Sequence, residues 1–217
     1  MRQHVTLQHS QCGESPAALP ARIERDALAL GLFIPALALA HVGQGDIGGG
    51  FIAGVEHPIF GFDHVVAMVA VGIWGAILGP PAIWVLPVTF PLVMAFGGVL
   101  GTMGVPIPGI EIGIAVSALI LGCMVAFAVR PPLWIAAILV GAFAIFHGYA
   151  HGAELPGSAN ALAYAVGFVV ATGSLHAFGI LLGVGNRWPV GKKLLRAGGA
   201  FIAACGVYFL ATHFVAG

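Results

Sequence analysis

His57-Pro58-Ile59-Phe60-Gly61-Phe62-Asp63-His64 opens a long apolar stretch, Val65 to Ile110, that contains no Asp, Glu, Lys or Arg. Its counterpart lies far downstream, where His147-Gly148-Tyr149-Ala150-His151-Gly152-Ala153-Glu154 closes another apolar run. A stretch longer than about 20 apolar residues spans a bilayer as helix. An Asp placed inside such a span costs roughly 2.5 to 3.5 kcal/mol on insertion scales, so polar groups at that depth carry function and have partners.

Composition extends this reading to the whole chain. Of the 217 residues 59% are hydrophobic and 7% charged, and the mean hydropathy is +1.03. Soluble domains carry about 25% charged residues, so soluble classes are excluded. Ile112 to Val129, Leu155 to Asn186 and Ala197 to Gly217 are also free of acidic and basic residues. The pattern predicts an all-α integral membrane protein with six spans: Pro58 to Leu78, Ala82 to Leu100, Glu111 to Val129, Leu133 to Ala150, Ala161 to Leu182 and Leu195 to Phe214. Gly/Pro-rich breakers at Gly79-Pro80-Pro81, Val105 to Gly109, Arg130-Pro131-Pro132 and Pro156-Gly157 separate them. The abundant Gly and Ala suit close helix packing in lipid.

Residues 1–40 read as a leader. Arg22 and Arg25 precede the apolar run Ala27 to Ala40, which ends Ala38-Leu39-Ala40, the order expected of a cleaved signal peptide. Residues 41–217 then form a single transmembrane domain with a periplasmic N-terminus. Six spans place Arg130, Arg187, Lys192, Lys193 and Arg196 on the cytoplasmic side of the membrane, in accord with the positive-inside rule. The acidic residues Asp46, Glu56, Asp63, Glu111 and Glu154 fall at or near the opposite face. The mature chain is net neutral but polarised, and nothing in it points to nucleic acid. Its partners are the lipid bilayer and a divalent ion.

Both histidine clusters fall at the outer ends of their spans. His147, His151 and Glu154, spaced i, i+4 and i+7, share one helix face. His57 is expected at the helix entry that Pro58 creates, with Asp63 and His64 following in the first span. Imidazole and carboxylate together suit Ni, Co, Zn and Fe in their divalent states. The expected ligands are His57, Asp63, His64, His147, His151 and Glu154, and of these Asp63, His64, His147 and His151 are expected to form one metal site. Cleavage at Ala40 adds His41, whose amine and imidazole form a chelate carried on a flexible Gly43 to Gly50 tether. The pattern is not that of a zincin, because Gly148 stands where HExxH requires Glu. Cys123 and Cys205 lie singly in spans and read as packing residues.

Phe51-Ile52-Ala53-Gly54, His57-Pro58, Gly61, Asp63-His64, Ala67-Met68, Ala70-Val71-Gly72 and Trp74 resemble the signature of the HupE/UreJ family of nickel/cobalt permeases. Pro108-Gly109-Ile110-Glu111 with Ala115 and Ser117, and Phe146 through Glu154, resemble its other motifs in the same order. The resemblance covers about Leu28 to the C-terminus. It implies inner-membrane uptake of nickel or cobalt as substrate, with no permanently bound cofactor, supplying hydrogenase, urease or cobalamin pathways. Met68, Glu111, Ser117 and His176 are the expected pathway residues.

Two function classes follow. The favoured one is a permease that strips a hydrated divalent ion against His and carboxylate ligands and passes it to the cytoplasm. The rival is a metal-dependent intramembrane hydrolase with Asp63 or Glu154 as base. No Gly-x-x-x-x-Gly-Lys motif is present, which argues against direct use of ATP.

Overall fold

In the computed structural model, residues 47–155 and 160–216 are described. The expected leader, His41 and the first half of the expected tether lie outside them. The described residues form helices α1 (Ile47–Phe60), α2 (Phe62–Leu78), α3 (Ala82–Thr102), α4 (Ile110–Ala126), α5 (Leu133–Ala153), α6 (Ala161–Gly183) and α7 (Pro189–Ala216), with a 3-10 turn at Val184–Arg187 before α7. No strand occurs among them. The all-helical membrane architecture is as expected.

The first predicted span is built differently. It was expected to start at Pro58, but α1 precedes it and meets α2 at a 79° bend. Pro58 lies inside α1, and the break falls at Gly61, which is extended (φ −76°, ψ 96°). Gly61 donates to the His57 carbonyl at 3.2 Å and accepts from Val65 at 2.9 Å, so the chain turns without stranding its backbone groups. A Cβ at Gly61 would stand 3.0 Å from His64 Nδ1 and 3.3 Å from Asp63 Oδ1. His57 is therefore near the end of one helix, not at the entry of the next. The Gly-rich segment read as tether is helical from Ile47, and a Cβ on Gly50 would lie 3.1 Å from the Asn160 carbonyl oxygen.

The span count also changes. Four helices, α3, α5, α6 and α7, are individually long and apolar enough to cross a membrane, and the bent α1–α2 pair makes a fifth. The remaining predicted span, Glu111 to Val129, is the 17-residue α4, about 26 Å long at 1.5 Å per residue, which is the short limit for a crossing. It stops at Ala126 because Ala128 takes a left-handed conformation, φ 49°. Lys192, Lys193 and Arg196, expected in a connection, lie in the opening turns of α7. Arg196 donates to the Ala126 carbonyl at 2.9 Å, at the C-terminal end of α4 where the helix dipole favours a cation.

Backbone contact between helices fixes their arrangement. Along α3 and α5, a Cβ on Gly97, Gly101, Gly148 or Gly152 would collide with Ile145, Tyr149, Met94 or Gly98 of the facing helix. Gly72 and Gly179 do the same between α2 and α6, Gly54 and Gly167 between α1 and α6, and Gly122, Gly199 and Gly206 between α4 and α7. In hydrocarbon no apolar gain drives helices together, so close van der Waals approach of this kind supplies the attraction. Gly152→Ala is expected to cost about 1–3 kcal/mol through overpacking. Gly173→Ala, where an added Cβ meets nothing within 4 Å, costs far less. Melting temperatures of the two detergent-solubilised variants check this, and equal values would contradict the packing argument.

Candidate metal-binding site

The tight α3–α5 crossing sets the direction of two histidines. Gly148 and Gly152 press on α3, and His147 and His151, each one residue earlier, are rotated about 100° away toward α2. Both are buried. From the other side the Gly61 break brings the start of α2 against them. The ring centroid of His64 lies 4.7 Å from that of His147 and 4.4 Å from that of His151. His57, at the end of α1, completes the group with its ring 4.6 Å from His151. The expected convergence of the two clusters is thus observed in space.

Hydrogen bonds assign the ring protons. His64 Nδ1–H donates to Asp63 Oδ1 at 2.8 Å, and the His64 backbone N–H donates to the same oxygen at 2.9 Å. Ser117 Oγ–H is committed to the Ile114 carbonyl at 2.6 Å, so the 2.8 Å contact between Ser117 Oγ and His147 Nε2 requires the imidazole to donate. His57 Nε2–H donates to Glu154 Oε2 at 3.2 Å. Each of these imidazoles is held by one nitrogen. The buried nitrogens His64 Nε2, His147 Nδ1 and both of His151 have no hydrogen-bond partner among the described residues.

That arrangement favours a cation. A buried acceptor without a partner costs roughly 1–3 kcal/mol, and an ion that accepts several lone pairs removes that cost at all of them together. The carboxylate or hydroxyl behind each of His57, His64 and His147 is also the usual outer support of a metal-binding histidine, fixing its tautomer and raising its basicity. One atom each of His57, His151 and Glu154 lie within 4.8 Å of one another. Modest side-chain motion brings them to the roughly 3.4 Å spacing of ligands around one ion. His151 belongs both to this outer trio and to the deeper group with His64 and His147.

The other sequence-predicted residues fall around this centre. Asp63 contacts His64 directly and also lines a cavity of about 300 Å3 with Glu111, Ile114, Phe209, Thr212 and His213. Glu111 stands in the first turn of α4, where a carboxylate matches the helix dipole. Met68 is fully buried, and its backbone carbonyl is what reaches a functional side chain, accepting from His176 Nδ1–H at 2.8 Å. Ser117 is the hydrogen-bond partner of His147. Sequence reasoning missed Phe168, whose ring lies 4.2 Å from His151, Tyr164 at 6.2 Å from His57, and Phe90 at 5.5 Å from His147. Aromatic residues are common in apolar helices, so nothing in the pattern set these apart.

The fold and this cluster define a multi-pass membrane protein with several buried, unpartnered imidazole nitrogens inside a helix bundle. A family profile described as HupE / UreJ protein matches residues 28–209. The chain is also 45% identical over 180 residues to Protein HupE of Rhizobium leguminosarum bv. viciae, covering 82% of this chain and 93% of that protein. The chain belongs to the HupE/UreJ family, a family of transporters. No solved structure matches it.

Ser117→Ala removes the acceptor that fixes the His147 tautomer and should weaken metal binding roughly ten-fold, the scale of lost outer-shell support. Titration of nickel into the purified variant checks this. An affinity indistinguishable from wild type would show that Ser117 does not orient a ligand.

Proposed function

We propose that this protein carries divalent nickel or cobalt from the periplasm to the cytoplasm through the His/Asp cluster, supplying metal for hydrogenase, urease or cobalamin pathways. The observation that carries this reading is the set of unpartnered imidazole nitrogens converging from α2 and α5. Membership of a transporter family supports transport over hydrolysis.

In this mechanism Glu154, half-buried His57 and His151 meet the hydrated ion first, since Glu154 is exposed at the end of α5. Exchange of water for imidazole then draws the ion inward to His64 and His147, with Asp63 and Ser117 holding those rings in the ligating tautomer. Because His151 belongs to both groups, the ion moves without being released between them. Borderline divalent ions suit nitrogen and carboxylate donors. A site whose donors come in two overlapping sets binds an ion without trapping it.

Removing any one of Asp63, His64, His147 or His151 is expected to lower uptake at least ten-fold, and Asp63→Asn with His147→Ala to be far from additive, because ligands of one ion act as a unit. The test is nickel uptake into proteoliposomes, with cobalt, zinc and iron as competitors, at equal protein density. Near-normal uptake in both Asp63→Asn and His147→Ala removes the shared site from the mechanism.

The proposed direction rests on charge. Arg130, Arg187, Lys192, Lys193 and Arg196 gather on connections and helix starts at one end of the bundle, opposite Glu111 and Glu154. With the leader removed at Ala40, His41 would begin the mature chain on the outer side and add a chelating amine. In a background without native Cys, Lys192→Cys should resist a membrane-impermeant reagent applied from outside, and mass spectrometry should find His41 as the N-terminus. Labelling of Lys192→Cys from outside would reverse the orientation, and an intact leader would remove His41 from the site.

A further inference from the structure

One buried histidine stands apart from the outer cluster. His176 is 1% exposed and lies well along α6, roughly 22 Å from that helix's start at Ala161 by the helical rise. His147, by contrast, is roughly 9 Å from the end of α5 that connects to α6. His176 therefore sits deeper in the bundle. Its Nδ1–H donates to the Met68 carbonyl, an α6-to-α2 contact at 2.8 Å. That bond fixes the tautomer and turns the lone pair of Nε2 into the interior, where it has no partner among the described residues. Thr172, one turn earlier and fully buried, also leaves its Oγ1 without a partner.

A single side chain links this pair to the outer cluster. The fully buried Phe90 ring of α3 lies 5.5 Å from the His147 ring and 5.3 Å from the His176 ring. Phe90 is flanked by Pro87 and Pro91, both inside α3. Neither proline offers an N–H to the turn before it, so the helix is least restrained at this point. A flat apolar side chain on a weakened turn is suited to move between two positions.

The geometry points to a second divalent-cation station at His176 Nε2, with Thr172 Oγ1 as an oxygen donor, separated from the outer cluster by Phe90. An ion leaving His147 passes the Phe90 ring and is received by His176 before release on the cytoplasmic side. No bond is made or broken beyond exchange of ligands. This deepens the transport reading and rests on it. A residue that only clamps α6 to α2 needs the Nδ1–H bond to Met68, whereas a station needs the bare Nε2 as well.

His176→Asn separates these roles, because its amide N–H replaces the donor to Met68 while no nitrogen lone pair remains. His176→Gln places an amide oxygen farther out, near the position of Nε2. Nickel uptake is measured in proteoliposomes at equal protein density, and nickel binding to the same preparations by equilibrium dialysis. Both variants should bind nickel at the outer cluster with affinity within about two-fold of wild type, while maximal uptake falls roughly ten-fold or more in His176→Asn and less in His176→Gln. Maximal uptake near wild type in His176→Asn overturns the station. So does a loss that appears only as weaker binding, which would place His176 in the outer site, or failure of both variants to fold, which would make packing of the imidazole between α6 and α2 its role. If wild type itself neither binds nor carries nickel, the transport reading fails instead, and the two failures are distinguished.

Discussion

Backbone-to-backbone contact through glycine is the constraint on which the rest of this bundle depends. Helices in hydrocarbon gain nothing by hiding apolar side chains from lipid, so they associate where small residues let whole backbones touch. Here Gly97, Gly101, Gly148 and Gly152 bring α3 and α5 to a separation that no Cβ would permit, and Gly72 and Gly179 do the same for α2 and α6. Once those faces are spent on packing, the neighbouring positions have their directions decided. His147 and His151 follow from Gly148 and Gly152, and His176 follows from the α2–α6 seam.

The same constraint explains how a bundle tolerates so many buried imidazoles. Each ring except that of His151 is anchored through one nitrogen: to Asp63, to Ser117, to Glu154 or to the Met68 carbonyl. Anchoring satisfies half of each polar group and aims the other half. His151 has neither nitrogen anchored and is packed on Phe168, so it is the ring freest to turn between partners. A binding protein would hold all its ligands rigidly. A protein that must pass its ion onward is better served by one ring that is not fixed.

The break at Gly61 is the second device that positions the site. A continuous helix from Ile47 to Leu78 would carry His57 along the axis away from His64 by about two turns. The 79° bend instead leaves their rings 6.5 Å apart and puts His57 within reach of His151 and Glu154. The adjacent helices α1 and α2 and the distant α5 then share one small volume.

Much of this was legible in the residues themselves. Hydrophobic runs of bilayer length fix a membrane-helical fold, because a backbone in hydrocarbon must satisfy its own hydrogen bonds, and Gly/Pro breakers located the connections within a few residues. The polar residues of the site were legible for the same reason: an Asp or His inside a span is costly and so informative. Tertiary structure alone decided the rest. Pro58 looked like the start of the span, but it lies inside α1 and the chain turns at Gly61, where an added Cβ would be crowded at 3.0 Å from His64 Nδ1 and 3.3 Å from Asp63 Oδ1. The short α4, the early start of α7 and the aromatic walls at Phe90 and Phe168 depend on which helix lies opposite. Sequence period fixes what a residue is and which face it occupies, whereas the partner of that face is set by contacts between segments distant in the chain.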